Sequence, residues 1–180
     1  GHHIRRISYY CKEMAEAMDL PADFRSAIFH ASPMHDIGKI GIADHVLLKP
    51  GSFTPREWVI MRSHCTQGAS ILGSGTSPYI RMGAEIALNH HERWDGSGYP
   101  NGLKGEAIPL AARIMQICDV YDALRSKRPY KLPIDHTRAV EIITQGDGRV
   151  EPGHFDPQVL ACFAAQADRF AAIYEQHFDD

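Results

Sequence analysis

Long apolar runs, closely paired cysteines and a strong excess of either charge are absent from this sequence. No stretch approaches the ~20 apolar residues of a membrane-spanning helix, so we expect no membrane segment in this chain. The cysteines are scattered and never form a C-x-x-C pair, which argues against a disulfide framework, a zinc ribbon or a redox pair and favours a reducing, cytoplasmic location. They are Cys11, Cys65, Cys118 and Cys162.

The charge balance restricts the class of ligand. Lysine and arginine total 19 residues, aspartate and glutamate total 22, and the formal net charge is −3. Such a chain has no global positive field with which to hold a polymeric nucleic acid, although a local basic pocket can still bind a small anion. We therefore expect a small anionic ligand and no polymeric nucleic acid.

Convincing strand patterns are also missing, whereas helical spacing recurs along the chain. Apolar residues follow one another at intervals of three and four over residues 7–18 and 24–31, which is typical of amphipathic helices. Residues 54–57 (TPRE) have the pattern of a capping box at a helix start, and Asp156 predicts the start of a last helix that continues through Tyr174. With 180 residues, the chain is predicted to be a single all-α helical bundle.

Histidine is the residue type in excess. Eleven histidines occur, and imidazoles are collected in a chain chiefly for metal binding or proton transfer. His35 and Asp36 form a doublet that we predict to lie at the start of a short third helix. Lys39 follows Asp36 by three positions and His35 by four, so it lies on the same face of this predicted helix. Taken alone, the doublet is more often a capping or surface pair, so its role depends on other residues.

Further side chains of the ligand type fall at or near predicted helix ends. Because they are spread over separate helices, they predict a metal site at the centre of the bundle, where facing helices converge. A buried Asp119 requires a partner such as a metal, and the doublet of His90 and His91 after an apolar helix can serve two ions. The candidate ligands are His3, His35, Asp36, His64, His90, His91 and Asp119.

The chemistry of this set indicates which ions it suits. The ligands are imidazoles and carboxylates, and we expect no thiolate at the site. Such donors favour iron, manganese, cobalt or nickel over a structural zinc, although zinc also fits. Asp36 is suited to bridge two ions about 3.5–4 Å apart, which together activate water and stabilise both oxygens in a phosphoryl displacement. Hydrolysis of a phosphate ester is the predicted reaction.

Two longer motifs carry a family resemblance. Residues 35–39 (HDIGK) and 90–100 (HHERWDGSGYP) resemble the HD-GYP subgroup of the HD metal-dependent phosphohydrolases, and the similarity covers nearly the whole chain. The resemblance implies an HD-domain helical bundle with additional C-terminal helices and two or three divalent metal ions, iron or manganese in the first place. It also implies a cyclic di-GMP phosphodiesterase of bacterial signalling, which produces pGpG, GMP or both through a metal-activated water.

The resemblance assigns roles to individual residues. The metal ligands of the family fall on the seven candidates above. Asp36 and Lys39 fall on catalytic positions, and Lys39 is placed to protonate the leaving oxygen or to hold the phosphate. Its position three residues after Asp119 leaves two roles open for Asp122, namely to orient a ligand without touching the ion or to lie exposed to solvent. The implied substrate pocket contains Tyr99, Arg128 and Lys131.

Two features depart from the family pattern. The glutamate that completes three-metal sites lies four residues before the position of His3, which is upstream of Gly1, so the resemblance leaves two or three ions open. Cys65 stands where many members have proline, and Cys118 stands where alanine is common. We interpret both cysteines as small packing changes.

The resemblance also bears on domain organisation. We expect residues 1–180 to form a single HD-GYP domain, the output domain of a longer chain with an upstream receiver or sensory module. Homodimerisation and docking with other signalling domains are compatible with that role. Two alternatives stay open, namely a non-catalytic module that senses cyclic di-GMP or docks on a partner, and an HD phosphohydrolase for another nucleotide. The intact Lys39 and Tyr99 argue against the first, and the Gly-Tyr-Pro loop argues against the second.

Overall fold

The computed structural model describes residues 1–128 and 131–178, and most of these residues are helical. The α-helices are α1 (His2–Ala17), α2 (Ala22–Ala31), α3 (Asp44–Leu47), α4 (Pro55–Arg62), α5 (His64–Leu72), α6 (Pro78–Asn89), α7 (Leu110–Arg125), α8 (His136–Gln145), α9 (Pro157–Ala165) and α10 (Ala167–Gln176). Short 3-10 helices lie at Ser32–Met34, Ile37–Gly41, Gly105–Ala107 and Pro152–His154.

The prediction of an all-α fold is confirmed. Across residues 1–128 and 131–178 no strand forms, and β-type pairing is limited to one antiparallel bridge between Arg128 and Lys131. In the same part of the chain, no helix combines the length and apolar character needed to cross a membrane.

The hydrophobic core lies between α1 and α7 and is covered by the C-terminal helices. Tyr10 of α1 stacks on Phe170 of α10 with ring centroids 4.7 Å apart, and both rings contact Tyr121 of α7. All three side chains are buried, and full burial of a phenylalanine ring alone contributes about 1.5–3 kcal/mol. This packing holds together two helices that carry candidate ligands at positions 3 and 119.

Helix α4 begins as predicted but ends earlier. Thr54 Oγ1 accepts a hydrogen bond from the amide of Glu57, and Glu57 Oε2 accepts one from the amide of Thr54, which forms a capping box. The apolar spacing after the capping box predicts a helix that carries His64 near its end. This prediction is wrong, because α4 ends at Arg62 and His64 begins α5. The chain tightens between them, where the Ser63 amide bonds to a carbonyl three residues back.

The His35-Asp36 doublet does not begin an α-helix, contrary to the prediction. Both residues form the turn between the 3-10 helices Ser32–Met34 and Ile37–Gly41. Pro33 and Gly38 are poor formers of α-helix interior, which favours these shorter elements. Asp119 also differs from its predicted position, because it lies within α7 and not near a helix end.

The predicted last helix is two helices. The chain bends at Gln166, between α9 and α10. This bend brings Phe163 and Phe170 to the same side, with ring centroids 5.1 Å apart in an edge-to-face contact. Burial of both rings in one core therefore decides the break, which the apolar spacing did not reveal.

The turn after Asp36 packs directly on α5. A Cβ atom at Gly38 would overlap the main-chain carbonyl oxygen of His64 and would lie 2.5 Å from the amide nitrogen of Gly68. Glycine permits this close approach of two backbones. As a result, Asp36 lies next to the His64 side chain.

Candidate metal centre

Asp36 lies at the centre of the candidate site. Its Oδ2 atom is 3.3 Å from Nε2 of His35, and its Oδ1 atom is 3.5 Å from Nε2 of both His64 and His90. Each carboxylate oxygen therefore faces a different set of imidazoles. A carboxylate that bridges two cations requires this arrangement.

The main chain orients the imidazoles around Asp36. Nδ1 of His35, His64 and His90 each lies within hydrogen-bond distance of a backbone carbonyl. Because a carbonyl can only accept, Nδ1 carries the proton and Nε2 faces the site, as in histidines that bind metals. The accepting carbonyls belong to Ser32 at 2.9 Å, Met61 at 2.7 Å and Ile86 at 2.9 Å, respectively.

Two of these Nε2 atoms have no hydrogen-bond partner in the part of the chain that the structure describes. Nε2 of His35 and Nε2 of His90 are buried, and no group within the described ranges meets hydrogen-bond geometry with either atom. The 3.3 Å contact of His35 with Asp36 is an ion pair by distance only. Buried polar atoms without a partner are rare. A divalent cation supplies the partner that both nitrogens need, so these residues fit a metal.

The ligand atoms form two groups on either side of Asp36. In the first group, Nε2 of His3 and Nε2 of His35 lie 3.9 and 3.7 Å from Oδ1 of Asp119. The structure thus brings all seven predicted ligands together from α1, the turn at residues 35–36, α5, the end of α6 and α7. Ligand atoms lie within 4.8 Å of one another in each of two sets, which are His3, His35 and Asp119, and His64, Cys65, His90 and His91.

Cys65 is a residue of this site that the sequence analysis missed. Its Sγ atom lies 3.7 Å from Nε2 of His64, and the side chain is fully buried. The expectation that no thiol lies at the candidate site was therefore wrong. The one signal in the sequence was the position of Cys65 directly after His64. Cys118, in contrast, is buried with Cys11 in the hydrophobic core.

The electrostatics of the first group favour a cation. Burial opposes the charge on Asp36, but contacts with His35, His90 and Lys39 outweigh it and hold the Asp36 pKa well below its ordinary value. Burial also opposes a charged His35, yet contacts with Asp36 and Asp119 raise its pKa to about 9. The protein thus stabilises an ionised Asp36 and positive charge next to it, as a metal centre requires.

The second group favours neutral side chains. Burial lowers the pKa of His64, and burial together with the like charges of His90 and His64 holds the pKa of His91 well below its ordinary value. Burial also raises the pKa of the Cys65 thiol to about 12. Neutral imidazole is the form that binds metal, so these histidines do not have to lose a proton near neutral pH.

A cavity of about 470 Å³ opens beside the site. Lys39 lies on its wall and donates a hydrogen bond from Nζ to Oδ2 of Asp36 at 2.8 Å. Lys127 and Arg128 line the same cavity. Its volume is in the range of small-molecule sites, and its cationic side chains suit a phosphate-bearing ligand.

Tyr99 and Lys131 are not among the described residues that line this cavity. Lys131 lines a neighbouring cavity of about 360 Å³, which shares Arg128 with the first. The Tyr99 ring stacks on His91 with centroids 4.8 Å apart and 20° between the ring planes. The guanidinium of Arg62 also lies 4.8 Å from the Tyr99 ring centroid. Tyr99 therefore contacts a candidate ligand directly, and its role in substrate binding stays a prediction.

Hydrogen bonds connect the loop that contains Tyr99 to the residues that follow α6. The buried carboxylate of Glu92 accepts hydrogen bonds from the amides of Asn101 and Leu103 at 2.7 and 2.9 Å. The amide of Tyr99 donates to the carbonyl of His91 at 3.2 Å. These bonds fold the irregular segment back on itself, and the fold holds the aromatic ring against the imidazole.

Asp122 is fully buried behind His3. Its Oδ2 atom accepts from Nδ1 of His3 at 2.6 Å, and its Oδ1 atom accepts from Nε of Arg6 at 2.6 Å and from the Tyr10 hydroxyl at 3.2 Å. Burial disfavours the carboxylate charge, but His3 and Arg6 outweigh it and lower the Asp122 pKa. This geometry directs Nε2 of His3 towards Asp119, which fits the predicted orienting role. No sequence signal identified Arg6 as a partner.

The profile of the HD domain family matches residues 1–159. The chain belongs to the HD domain family. The resemblance inferred from the two motifs is thereby confirmed. Residues after 159, which include the end of α9 and all of α10, lie beyond the matched range and form part of the additional C-terminal helices.

Curated relatives match this HD domain over nearly its whole length. A cyclic di-GMP phosphodiesterase of Vibrio cholerae is 44% identical, with 100% of this chain and 38% of the relative covered. A cyclic di-GMP phosphodiesterase of Thermotoga maritima is 42% identical over 99% of this chain and 47% of the relative. A 3′3′-cGAMP-specific phosphodiesterase of Vibrio cholerae is 40% identical, with 96% of this chain and 32% of the relative covered. The chain thus spans less than half the length of each.

Solved structures share the fold of this HD domain at low sequence identity. A protein of Bdellovibrio bacteriovorus described as HDG"Y"P has a TM-score of 0.70 and 16% identity, with 92% of this chain and 51% of that chain covered. The HD domain of a Listeria monocytogenes phosphodiesterase, solved with cyclic di-AMP, has a TM-score of 0.60 and 17% identity, with 98% of this chain and 91% of that chain covered. These similarities confirm the predicted HD-domain helical fold.

Proposed function

We propose that this HD domain is a metal-dependent phosphodiesterase that hydrolyses cyclic di-GMP. The observation that carries the proposal is the position of Asp36, whose two oxygens face the imidazoles of His35 on one side and of His64 and His90 on the other. A shared carboxylate can hold two ions close enough together to act on the same phosphodiester. The names of the Vibrio cholerae and Thermotoga maritima relatives support the choice of cyclic di-GMP as substrate.

The proposed cofactors are two divalent ions, iron or manganese in the first place, with cobalt, nickel or zinc as alternatives. When bound, such ions supply Lewis-acid activation of water and neutralise charge on the phosphate. The two ligand groups support a count of two, and a count of three is the alternative. One ion would be held by His3, His35 and Asp119, the other by His64, His90 and His91, and both by Asp36.

Lys39 is proposed to deliver a proton to the leaving ribose oxygen. Its Nζ atom lies on the wall of the 470 Å³ cavity, 2.8 Å from Asp36. A proton donor at this point neutralises the oxygen as the phosphorus–oxygen bond breaks. General acid assistance of this kind contributes about 10²–10⁴-fold in rate.

Arg128 and Lys131 are proposed to bind the phosphate that is not cleaved. A cyclic dinucleotide carries two phosphates. The side chains of Arg128 and Lys131 both line the neighbouring 360 Å³ cavity, next to the proposed hydrolytic site. Arg128 lines both cavities and can grip a phosphate with two N–H groups. Tyr99 would present its edge and hydroxyl to a ligand, because His91 and Arg62 lie against its ring.

Product analysis on anaerobically purified protein tests this proposal. Protein loaded with Mn²⁺ or Fe²⁺ is expected to convert cyclic di-GMP to pGpG, GMP or both, whereas Asp36→Ala is expected to abolish turnover and to keep its helical circular dichroism. A parallel reaction with pGpG identifies the end product. If protein with two bound ions per chain cleaves no cyclic dinucleotide, the proposal is wrong.

Hydrolysis of 3′3′-cGAMP is the second candidate function. It is favoured by a relative with this specificity in its name that is 40% identical over 96% of the chain. Comparison of kcat/KM for the two cyclic dinucleotides separates the candidates. Calorimetric binding without product would favour a non-catalytic sensing module, and turnover of a deoxynucleotide alone would favour an HD phosphohydrolase for another nucleotide.

The domain is further proposed to act as the output domain of a cytoplasmic signalling protein. The chain spans 38% and 47% of the cyclic di-GMP phosphodiesterases that it matches, which is consistent with an attached receiver or sensory module. Folding of residues 1–180 as one domain, homodimerisation and docking with other signalling domains belong to the same proposal. Cooperative unfolding of the isolated chain tests whether it folds as one domain, and light scattering tests whether it forms a homodimer.

A further inference from the structure

We propose that Cys65 is a further metal ligand, which makes one of the two ions a mixed nitrogen–sulfur site. This inference rests on the metal centre of the proposed function. Sγ of Cys65 is buried 3.7 Å from Nε2 of His64. It also lies within 4.8 Å of the ligand atoms of His90 and His91. The thiol therefore faces the same space as three imidazoles.

The separations in this space are those of donors to a single ion. Bonds of about 2.0–2.1 Å to nitrogen and about 2.3 Å to sulfur place neighbouring donors about 3–4 Å apart at the angles of about 90–120° found in four- and five-coordinate sites. The observed distances are 3.7 Å from Cys65 Sγ to His64 Nε2, and 3.5 Å from Asp36 Oδ1 to Nε2 of both His64 and His90. Cys65 thus occupies a donor position around the ion that these residues would hold.

A second observation indicates a ligand in the same space. The His90 side chain is 0% exposed, and its Nε2 has no hydrogen-bond partner among residues 1–128 and 131–178. Its Nδ1 is held by the Ile86 carbonyl at 2.9 Å, which keeps Nε2 directed at the site. A cation bound by His90 and Cys65 satisfies this nitrogen, and the thiol proton is released to solvent when the sulfur–metal bond forms.

The other cysteines provide matched controls. Cys11 and Cys118 are buried in the hydrophobic core, and Cys162 lies half-buried on α9. None of the three belongs to either group of candidate ligands. Cys162→Ser therefore makes the same chemical change as Cys65→Ser at a position outside both groups of candidate ligands.

A thiolate donor changes which ions the site prefers. Sulfur is a soft ligand, so it strengthens the binding of cadmium, zinc and cobalt more than that of manganese. We expect Cys65→Ser to weaken Cd²⁺ binding by about 10-fold or more and Mn²⁺ binding by only about 3-fold or less. The ratio of the two affinities is the informative quantity, because a general loss of structure lowers both.

Absorption spectroscopy of cobalt-loaded protein tests the assignment directly. Metal-free protein is titrated with Co²⁺, bound metal is counted by mass spectrometry, and the near-ultraviolet sulfur-to-cobalt charge-transfer band is recorded. We expect the band in the wild-type protein and in Cys162→Ser, and its loss in Cys65→Ser. Cys65→Ala, which offers no oxygen in place of sulfur, serves as a second variant, with circular dichroism as the check on folding.

The possible outcomes separate this inference from the proposed function. Bound cobalt without the band in the wild-type protein, or a band that persists in both Cys65 variants, shows that Cys65 is not a ligand and leaves the proposed phosphodiesterase intact. If neither Co²⁺, Cd²⁺ nor Mn²⁺ binds, the metal centre itself is wrong and both proposals are overturned. Band and metal count are measured without substrate, so turnover does not affect either result.

Discussion

The ammonium of Lys39 lies 2.8 Å from Oδ2 of Asp36, the carboxylate that both groups of imidazoles face. The 3-10 helix Ile37–Gly41 produces this contact, because side chains three residues apart lie above one another in a 3-10 turn. The proposed proton donor and the proposed bridging ligand are therefore positioned by the same short element.

Replacement of Lys39 by methionine is expected to separate catalysis from metal binding. Lys39→Met keeps the aliphatic stem and removes the ammonium, so kcat for cyclic di-GMP should fall by about 10²–10⁴-fold while the metal content is unchanged. Lys12→Met is the control, because Lys12 lies on α1 and pairs with Glu16. Turnover by Lys39→Met equal to that of the control would contradict the role of Lys39 as proton donor.

Removal of the His90 imidazole is expected to lower the number of bound ions per chain by one. His90→Ala eliminates a buried nitrogen that faces Asp36 at 3.5 Å, so the metal-to-protein ratio should drop by about one of the two proposed ions. The increase in Tm on addition of Mn²⁺ should shrink accordingly. His45→Ala, at an exposed position on α3, should behave like the wild-type protein. An unchanged ratio in His90→Ala would exclude His90 as a ligand.

Asp122 is expected to stabilise the fold in a pH-dependent way. Asp122→Asn removes the carboxylate charge that lies 2.6 Å from buried Arg6, so the free energy of unfolding at pH 7 should fall by about 3 kcal/mol. The folded-state pKa of Asp122 is lowered. Its stabilisation is therefore fully present above the unfolded value of about 4 and is lost as the pH falls through the folded pKa.

Urea unfolding of the wild-type protein and Asp122→Asn across the acid range measures this effect. The difference in stability between the two proteins should decrease on acidification. Glu106→Gln, an exposed carboxylate change, should have little effect at any pH. A difference for Asp122→Asn that is the same at neutral and acid pH would show that its charge does not contribute.

Gly38 is expected to tolerate no side chain. In Gly38→Ala the new Cβ overlaps the His64 carbonyl, so α5 and the turn after Asp36 must move apart. We expect a loss of stability of about 1–3 kcal/mol or more, together with weaker metal binding. Gly153→Ala is the control, since no atom of the described residues lies within 4 Å of its Cβ position. Equal Tm values for the two variants would show that the two backbones are not in close contact.

The ring of Tyr99 and its hydroxyl are expected to have separable roles. Tyr99→Phe keeps the stacking on His91 and should retain metal affinity within about 3-fold, whereas Tyr99→Leu removes the ring and should weaken it by about 10-fold. If the hydroxyl contacts substrate, Tyr99→Phe raises KM at unchanged metal content. Metal titration and steady-state kinetics on the same samples distinguish these effects. Equal metal affinities for Tyr99→Phe and Tyr99→Leu would show that stacking of the ring on His91 does not support metal binding.

Much of the helical fold could be predicted because its signals are local. The capping box of Thr54 and Glu57 formed as expected, since both partners lie within one turn of chain. The apolar segment before His90 became α6 and ends where the ligand doublet begins. The errors lie where local preference competes with packing, at the turn of residues 35–36 and at the bend of Gln166.

By itself, the sequence determined the all-α class, the family and the seven candidate ligands, because periodicity, caps and the HD and Gly-Tyr-Pro motifs depend on residues close together in the chain. Only the tertiary structure decided how Asp36 faces two groups of imidazoles, that Arg6 pairs with Asp122 across 116 positions, and that the thiol of Cys65 lies beside His64. Such relationships arise from the packing of distant helices, whose register and rotation are set by the core as a whole.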